Sequence, residues 1–207
     1  MKSKSSEKPI TGKKEPNFER IVAWVLTGSG ALGFIASLML AIEQIRHLKN
    51  PSADLSCDIN PLIGCGSIMD TWQGAVFFNI PNELIGLAAC SVLVTLGVLL
   101  LAGVTFPRWI WQGLQLGMLA GVAFVGWFIY QSLFVLNHLC PYCMVTWTAI
   151  LPVAWYVTVY NLNAGHLPPW TDRFKRFAAN HHVDVIVGVF VLLTGGILLR
   201  FSDFFFG

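Results

Sequence analysis

The chain has 207 residues, of which 55% are hydrophobic and 12% charged, with a net charge of +2 and a mean hydropathy of +0.64. About half of the usual charged fraction of roughly 25% is present, which excludes an ordinary water-soluble globule and makes lipid the expected surroundings. The length suffices for several membrane spans but leaves no room for an added soluble domain of typical size, roughly 100 residues or more, so any soluble partner is expected as a separate chain, and nucleic acid is not an expected partner.

Residues 1–20 are polar and carry Lys2, Lys4, Lys8, Lys13, Lys14 and Arg20, a composition that predicts a disordered basic tail. The apolar run that follows is too long for a signal peptide and ends in no small-residue cleavage site. Uncharged runs over Ile21–Ile42, Leu84–Phe106, Trp109–Leu136 and Leu139–Tyr160 each meet the roughly 20 residues a membrane helix needs. Val185–Leu199 is shorter and spans comfortably if it extends towards Phe206 with Arg200 snorkelling to the headgroups. The expected fold class is therefore all-α, with five transmembrane helices. Gly113, Gly117 and Gly121 recur every four residues in the third span, and Gly28, Gly33 and Ser37 are similarly spaced in the first, so close helix approach is expected along both stripes.

Lys and Arg are unevenly shared between the two ends. With a cytoplasmic N-terminus, that side holds the six tail residues, Arg108, and Arg173, Lys175 and Arg176 of the 161–182 loop, against Arg46, Lys49 and Arg200 on the other. Ten against three is a strong positive-inside signal. It predicts an extracytoplasmic 43–83 loop, with 161–182 cytoplasmic and 183–207 forming the fifth helix.

That outer loop carries Cys57 and Cys65. Pro51, Asn60-Pro61, Gly64 and Gly66 argue against regular structure around them and predict a mobile segment that holds the pair at the water. A static staple is the competing reading, since extracellular cysteine pairs are usually structural. Ile68, Met69, Trp72, Ala75, Val76 and Phe78 can share one face of a short interfacial helix over Ile68–Phe78.

The second pair, Cys140 and Cys143, is a CxxC where Asn137-His138 gives way to an apolar run. Cys140 is expected at or near a helix N-cap with Pro141 at the first helical position, where its missing N–H costs nothing. Cys143 then lies in the first turn, where free N–H groups and the helix dipole are expected to stabilise its thiolate. CxxC also builds half of many zinc sites, so a metal sensor remains a rival, as does a scaffold with structural cysteines. Two pairs on one oxidising face favour a relay through mixed disulfides. Cys90, inside the second span, is expected to pack as a small apolar residue.

The order of these features resembles the vitamin K epoxide reductase family in its bacterial membrane form, over roughly Ile21–Tyr160. The matching features are the loop pair Cys57 and Cys65, a hydroxyl residue shortly after it, Asn82 opening the next span in Ile-Pro-Asn-Glu-Leu-Ile-Gly, and the CxxC of the fourth helix. The disulfide bond formation protein B family shares the chemistry but places its CxxC before its loop pair. The resemblance implies a four-helix catalytic domain over 21–160 around a quinone, with the fifth helix peripheral. It implies a thiol–quinone oxidoreductase of the bacterial cytoplasmic membrane that reoxidises an extracytoplasmic thioredoxin-fold protein in trans, and Cys57, Cys65, Cys140 and Cys143 as the catalytic set. The quinone would be of menaquinone, ubiquinone or vitamin K type, and vitamin K quinone or epoxide reduction is the alternative activity. Cys57 would exchange with the partner, Cys65 would shuttle to Cys140, and Cys143 would meet the quinone. Asn82 and Thr71, the latter where the family usually has Ser, would donate to the quinone oxygens, and Trp147, at a position often held by Tyr, would belong to the pocket. The residues are compatible with this: a quinone needs an apolar pocket with a few donors. Trp72, Phe77, Phe78, Trp147 and Phe134 can supply walls, although an interfacial aromatic belt would account for such rings equally. Asn82 could instead cap the second helix, and His138 could move protons or simply bond to solvent.

Overall fold

The computed structural model describes residues 16–50, 55–60, 62–167, 177–178 and 181–202. Five helices in it are long and apolar enough to cross a membrane, and the protein is an all-α membrane protein. The basic tail up to Lys14, the cations Arg173, Lys175 and Arg176, and Pro51, Pro61 and Phe206 lie outside the described residues.

Helix α1 spans Pro16–Lys49. Its 34 residues reach about 51 Å at 1.5 Å per residue, well beyond a hydrocarbon core of about 30 Å. The apolar run Ile21–Ile42 therefore marks only its membrane portion. The last turns project past it because Glu43 turns inward, 5% exposed at its side chain, and is paired with Arg46 at 2.9 Å. A single turn, α2 (Gly66–Met69), and a 3₁₀ turn over Trp72–Ala75 stand where one amphipathic helix over Ile68–Phe78 was expected. The break comes at Thr71, whose hydroxyl donates to the Ile68 carbonyl. Phe78 and Asn79 adopt left-handed backbone, which leaves the Phe78 ring 96% exposed.

Helix α3 runs over Asn82–Leu101, α4 over Arg108–Tyr130, α5 over Pro141–Asn163 and α6 over His182–Arg200. The third span ends in a wider π turn, Gln131–Leu136, closed by Asn137 at φ 54°. Asn is among the few residues that tolerate this left-handed conformation. Helix α6 starts at His182, three residues ahead of the apolar run, and reaches Arg200, and it packs mainly along α5.

Helix α1 packs against α3 and α5, and α4 packs against α5. The close seam is α1 on α3. A Cβ at Gly33 would lie 2.7 Å from the Cys90 sulfur, one at Gly86 would lie 2.8 Å from the Ser37 hydroxyl, and one at Gly97 would overlap Thr27. Cys90 thus does pack as a small buried residue, 1% exposed. The Gly113, Gly117 and Gly121 stripe behaves differently. Nothing lies within 4 Å of a Cβ built at Gly113 or Gly117, and Gly121 would meet only Ile150 at 3.7 Å. Gly117 and Gly121 line a cavity between α3 and α4 instead of a helix seam.

Candidate functional site

The site begins with a hydrogen-bonded turn in the outer loop. The Asp58 carboxylate accepts the backbone N–H of Cys65 at 2.7 Å and of Gly66 at 3.3 Å, and a Cβ at Gly64 would stand 2.6 Å from the same oxygen. The Asn60 side-chain oxygen accepts the N–H groups of Leu62 and Ile63. This turn returns Cys65 onto Cys57, and the two form a disulfide with their Cα atoms 5.8 Å apart. The loop is irregular, as expected, but it is tied down. Ser56 donates through its hydroxyl to Glu43 at 2.7 Å, and Asp70 meets His47 at 2.8 Å. Cys57 is 3% exposed within a cluster that includes Leu55 and Ile68, so the pair lies beneath the loop rather than at the water.

Two backbone hydrogen bonds carry this loop to the CxxC. Gly64 N–H donates to the Leu139 carbonyl at 3.0 Å and Leu139 N–H to the Leu62 carbonyl at 2.9 Å, an isolated parallel bridge. The result is a contact of 3.4 Å between the sulfurs of Cys65 and Cys140, both 1% exposed. Nothing in residue spacing announces this bridge, because it is made by backbone groups of Leu62, Gly64 and Leu139, far apart in the chain.

Cys140 is the N-cap of α5 and Pro141 its first helical residue. The backbone N–H of Cys143 donates to the Cys140 sulfur at 3.3 Å. The free donors of the helix start therefore converge on Cys140, not on Cys143 as the spacing suggested. The Cys140 thiol is held below its ordinary value chiefly by a hydrogen bond from the Cys143 side chain, with further help from the backbone N–H groups of Cys143 and Tyr142, while burial and the charge of Glu83 oppose. Among the described residues no three or more His, Cys, Asp or Glu side chains converge as a metal ligand set.

Two chambers meet at this point. The smaller is bordered by Cys65, Cys140, Cys143, Gln44 and Met69. The larger, about 310 Å³, lies between α3 and α4 and is walled by Phe77, Phe124, Phe128, Trp147 and Ile150. Leu40, Asn82, Glu83, Phe128 and Cys143 border both. The larger chamber is at the lower end of the range for small-molecule pockets, roughly 300 to 1,000 Å³, and is mostly apolar, as a quinone ring requires.

The expected pocket residues divide. Trp147, 5% exposed, and Phe77 line the cavity, as does Asn82. Asn82 is the first residue of α3 rather than its cap, and its side chain clamps the preceding turn: the amide oxygen accepts Val76 N–H at 3.2 Å and the amide nitrogen donates to the Gln73 carbonyl at 2.6 Å. One amide hydrogen remains for a ligand. Thr71, Trp72, Phe78 and Phe134 do not border the cavity. The Thr71 hydroxyl is engaged at Ile68, Trp72 packs on Trp127, and Phe134 packs on Tyr130. Phe124 and Phe128 take the wall positions that those rings leave; their spacing of four on α4, facing Trp147, was the available signal.

Residues 24–158 match the model of the vitamin K epoxide reductase family. No curated protein matches the chain.

Proposed function

Because the chain belongs to the vitamin K epoxide reductase family, we propose that this membrane oxidoreductase takes electrons from a thioredoxin-fold protein in trans and delivers them to a quinone, in support of disulfide formation outside the cytoplasm. The contact of 3.4 Å between Cys65 and Cys140 carries the reading, since thiol–disulfide exchange requires the attacking sulfur to reach the attacked one.

In the cycle, the loop over the buried Cys57 opens to admit a partner thiolate, which attacks Cys57, forming a mixed disulfide and releasing the Cys65 thiolate. Once the second partner thiolate has resolved that bond, the partner leaves oxidised and Cys57 and Cys65 are reduced. Cys65 then attacks Cys140 of a Cys140–Cys143 disulfide and releases the Cys143 thiolate at the cavity wall. Cys57 resolves the Cys65–Cys140 bond, with Cys140 as leaving group. A thiol of lowered pKa leaves faster, so the donors gathered on Cys140 favour this step. The products are the Cys57–Cys65 disulfide and two thiols at Cys140 and Cys143. A quinone bound in the larger chamber supplies the two-electron acceptor that returns those thiols to a disulfide. Asn82 would hold one quinone oxygen through its remaining amide hydrogen, and Trp147, Phe124 and Phe128 would enclose the ring. Thr71 is the weaker member of the proposed donors, since its hydroxyl already has an acceptor. The charge asymmetry favours an extracytoplasmic side for the relay.

Purified protein in lipid nanodiscs, given a reduced thioredoxin-fold donor and a short-chain ubiquinone or menaquinone, should reduce one quinone per donor disulfide formed. Cys140→Ser should stop the transfer. Folded wild-type protein that oxidises the donor in neither quinone's presence would overturn the proposal.

A further inference from the structure

The family reading accounts for the sulfurs and the ring pocket but leaves one buried ionisable group without a task. Glu83 is 8% exposed, in the first turn of α3. It borders both the chamber that holds Cys65, Cys140 and Cys143 and the larger cavity beside it. Among the described residues it is the only carboxyl on either wall, and no Lys, Arg or His lines them. The other titratable groups there are Cys140 and Cys143 from α5, Cys65 from the loop and Cys90 from α3 itself; α1 contributes Leu40, Gln44 and Ser37, and α4 contributes no ionisable side chain. The charge of Glu83 acts on Cys140, so the carboxyl is within electrostatic reach of the reacting sulfurs.

Oxidising two thiols forms one S–S bond and releases two electrons and two protons, and converting a quinone to a hydroquinone consumes two of each. The cavity is apolar and offers few groups able to move a proton. Asn82, Ser37 and Thr146 are neutral hydrogen-bonding side chains that neither lose nor gain one near neutral pH. We propose that Glu83 is a catalytic proton carrier, taking a proton from the Cys140–Cys143 side and giving it up to a quinone oxygen on the cavity side. This rests on the thiol–quinone reading above. The carboxyl ends each cycle unchanged; the second proton is released to water and replaced from water at the other oxygen, so the balance needs no further reagent.

The test compares wild type with Glu83→Gln, which keeps size and hydrogen bonding but cannot carry the proton, in nanodiscs loaded with a short-chain ubiquinone. Three readouts are taken: the rate at which Cys140 and Cys143 become oxidised, from acid quench and alkylation across a pH series; quinone affinity, from quenching of tryptophan fluorescence in the oxidised protein, where no turnover occurs; and the melting temperature. E83Q should fold and bind quinone within about threefold of wild type, since a neutral isostere leaves the wall intact. Its thiol oxidation should slow roughly 100-fold, the lower end of what a positioned acid–base group contributes, and its pH profile should lose a limb that wild type shows. Oxidation within threefold of wild type, an unchanged pH profile, or a loss of affinity that accounts for the slower rate would each overturn the role of Glu83. If E83Q does not fold, Glu83→Met, which likewise cannot carry a proton and is close in volume, is read by the same criteria. Wild type that reduces no quinone would overturn the thiol–quinone reading instead, so the two failures are distinguishable.

Discussion

The start of α5 directs its free donors at one sulfur. Cys140 receives the Cys143 N–H and the Cys143 thiol, so its thiolate should persist at a pH below the ordinary thiol range. Replacing Cys143 by Ala removes the stronger of these donors and should move the Cys140 ionisation upward, which the pH dependence of ultraviolet thiolate absorbance would report. The same variant should also stop quinone reduction while leaving Cys65 and Cys140 able to form a linkage, visible on non-reducing gels. Asn82→Ala removes two hydrogen bonds to the turn over Gln73–Val76. At about 0.5 to 1.5 kcal/mol each, stability should fall by roughly 1 to 3 kcal/mol, and quinone affinity should fall with it. A lower melting temperature with unchanged affinity would reduce Asn82 to a clamp. The cysteines were legible because a CxxC before an apolar run and a Cys pair among turn residues are local patterns. Glu83 was not, because an acidic residue two places after a proline reads as an ordinary helix start, and only the tertiary structure turns it inward. Thr71 shows a similar limit: a resemblance can nominate a hydroxyl, but not tell that the carbonyl three residues back already accepts from it.

Two kinds of glycine sit in the helices, and they predict opposite outcomes. Gly97 lies against Thr27 across the α1–α3 seam, so Gly97→Val should force those helices apart and destabilise the protein by about 1 to 3 kcal/mol or more, as overpacking does. Gly117 borders the cavity with open space at its Cβ. Gly117→Leu should leave the melting temperature within a few degrees but weaken quinone binding at least tenfold, about 1.4 kcal/mol. Thermal melts and fluorescence titrations on both variants would separate seam from cavity. The five spans were legible from apolar runs alone, since each must bury its backbone in lipid by forming a helix. What each glycine faces was not, because a four-residue repeat marks a smooth strip on a helix without saying whether a neighbour or a void lies opposite.

Across the whole molecule, the cysteine relay and the Arg108 side chain lie at opposite ends of the bundle. Arg108 and Gln112 both donate to the His166 carbonyl, joining the start of α4 to the region after α5, while Cys65 and Cys140 meet at the other end. Impermeant thiol reagents applied to intact cells should therefore label a cysteine introduced at Ser67, which is exposed beside the relay, and should spare one introduced at Arg108. The reverse pattern would invert the orientation that charge asymmetry predicts. Helix α6 supplies nothing to either chamber, yet Arg200 donates to the Leu133 carbonyl at 3.1 Å and to Asn137 at 2.6 Å. Phe201 packs in one cluster with Leu62, Leu133 and Leu139, beside the bridge that sets Cys65 against Cys140. In a genetic selection for failed disulfide formation, stop codons after Tyr160 would therefore score as null alleles although every cysteine is still translated, and second-site suppressors would be sought among the neighbours of Leu139 rather than in the redox residues themselves.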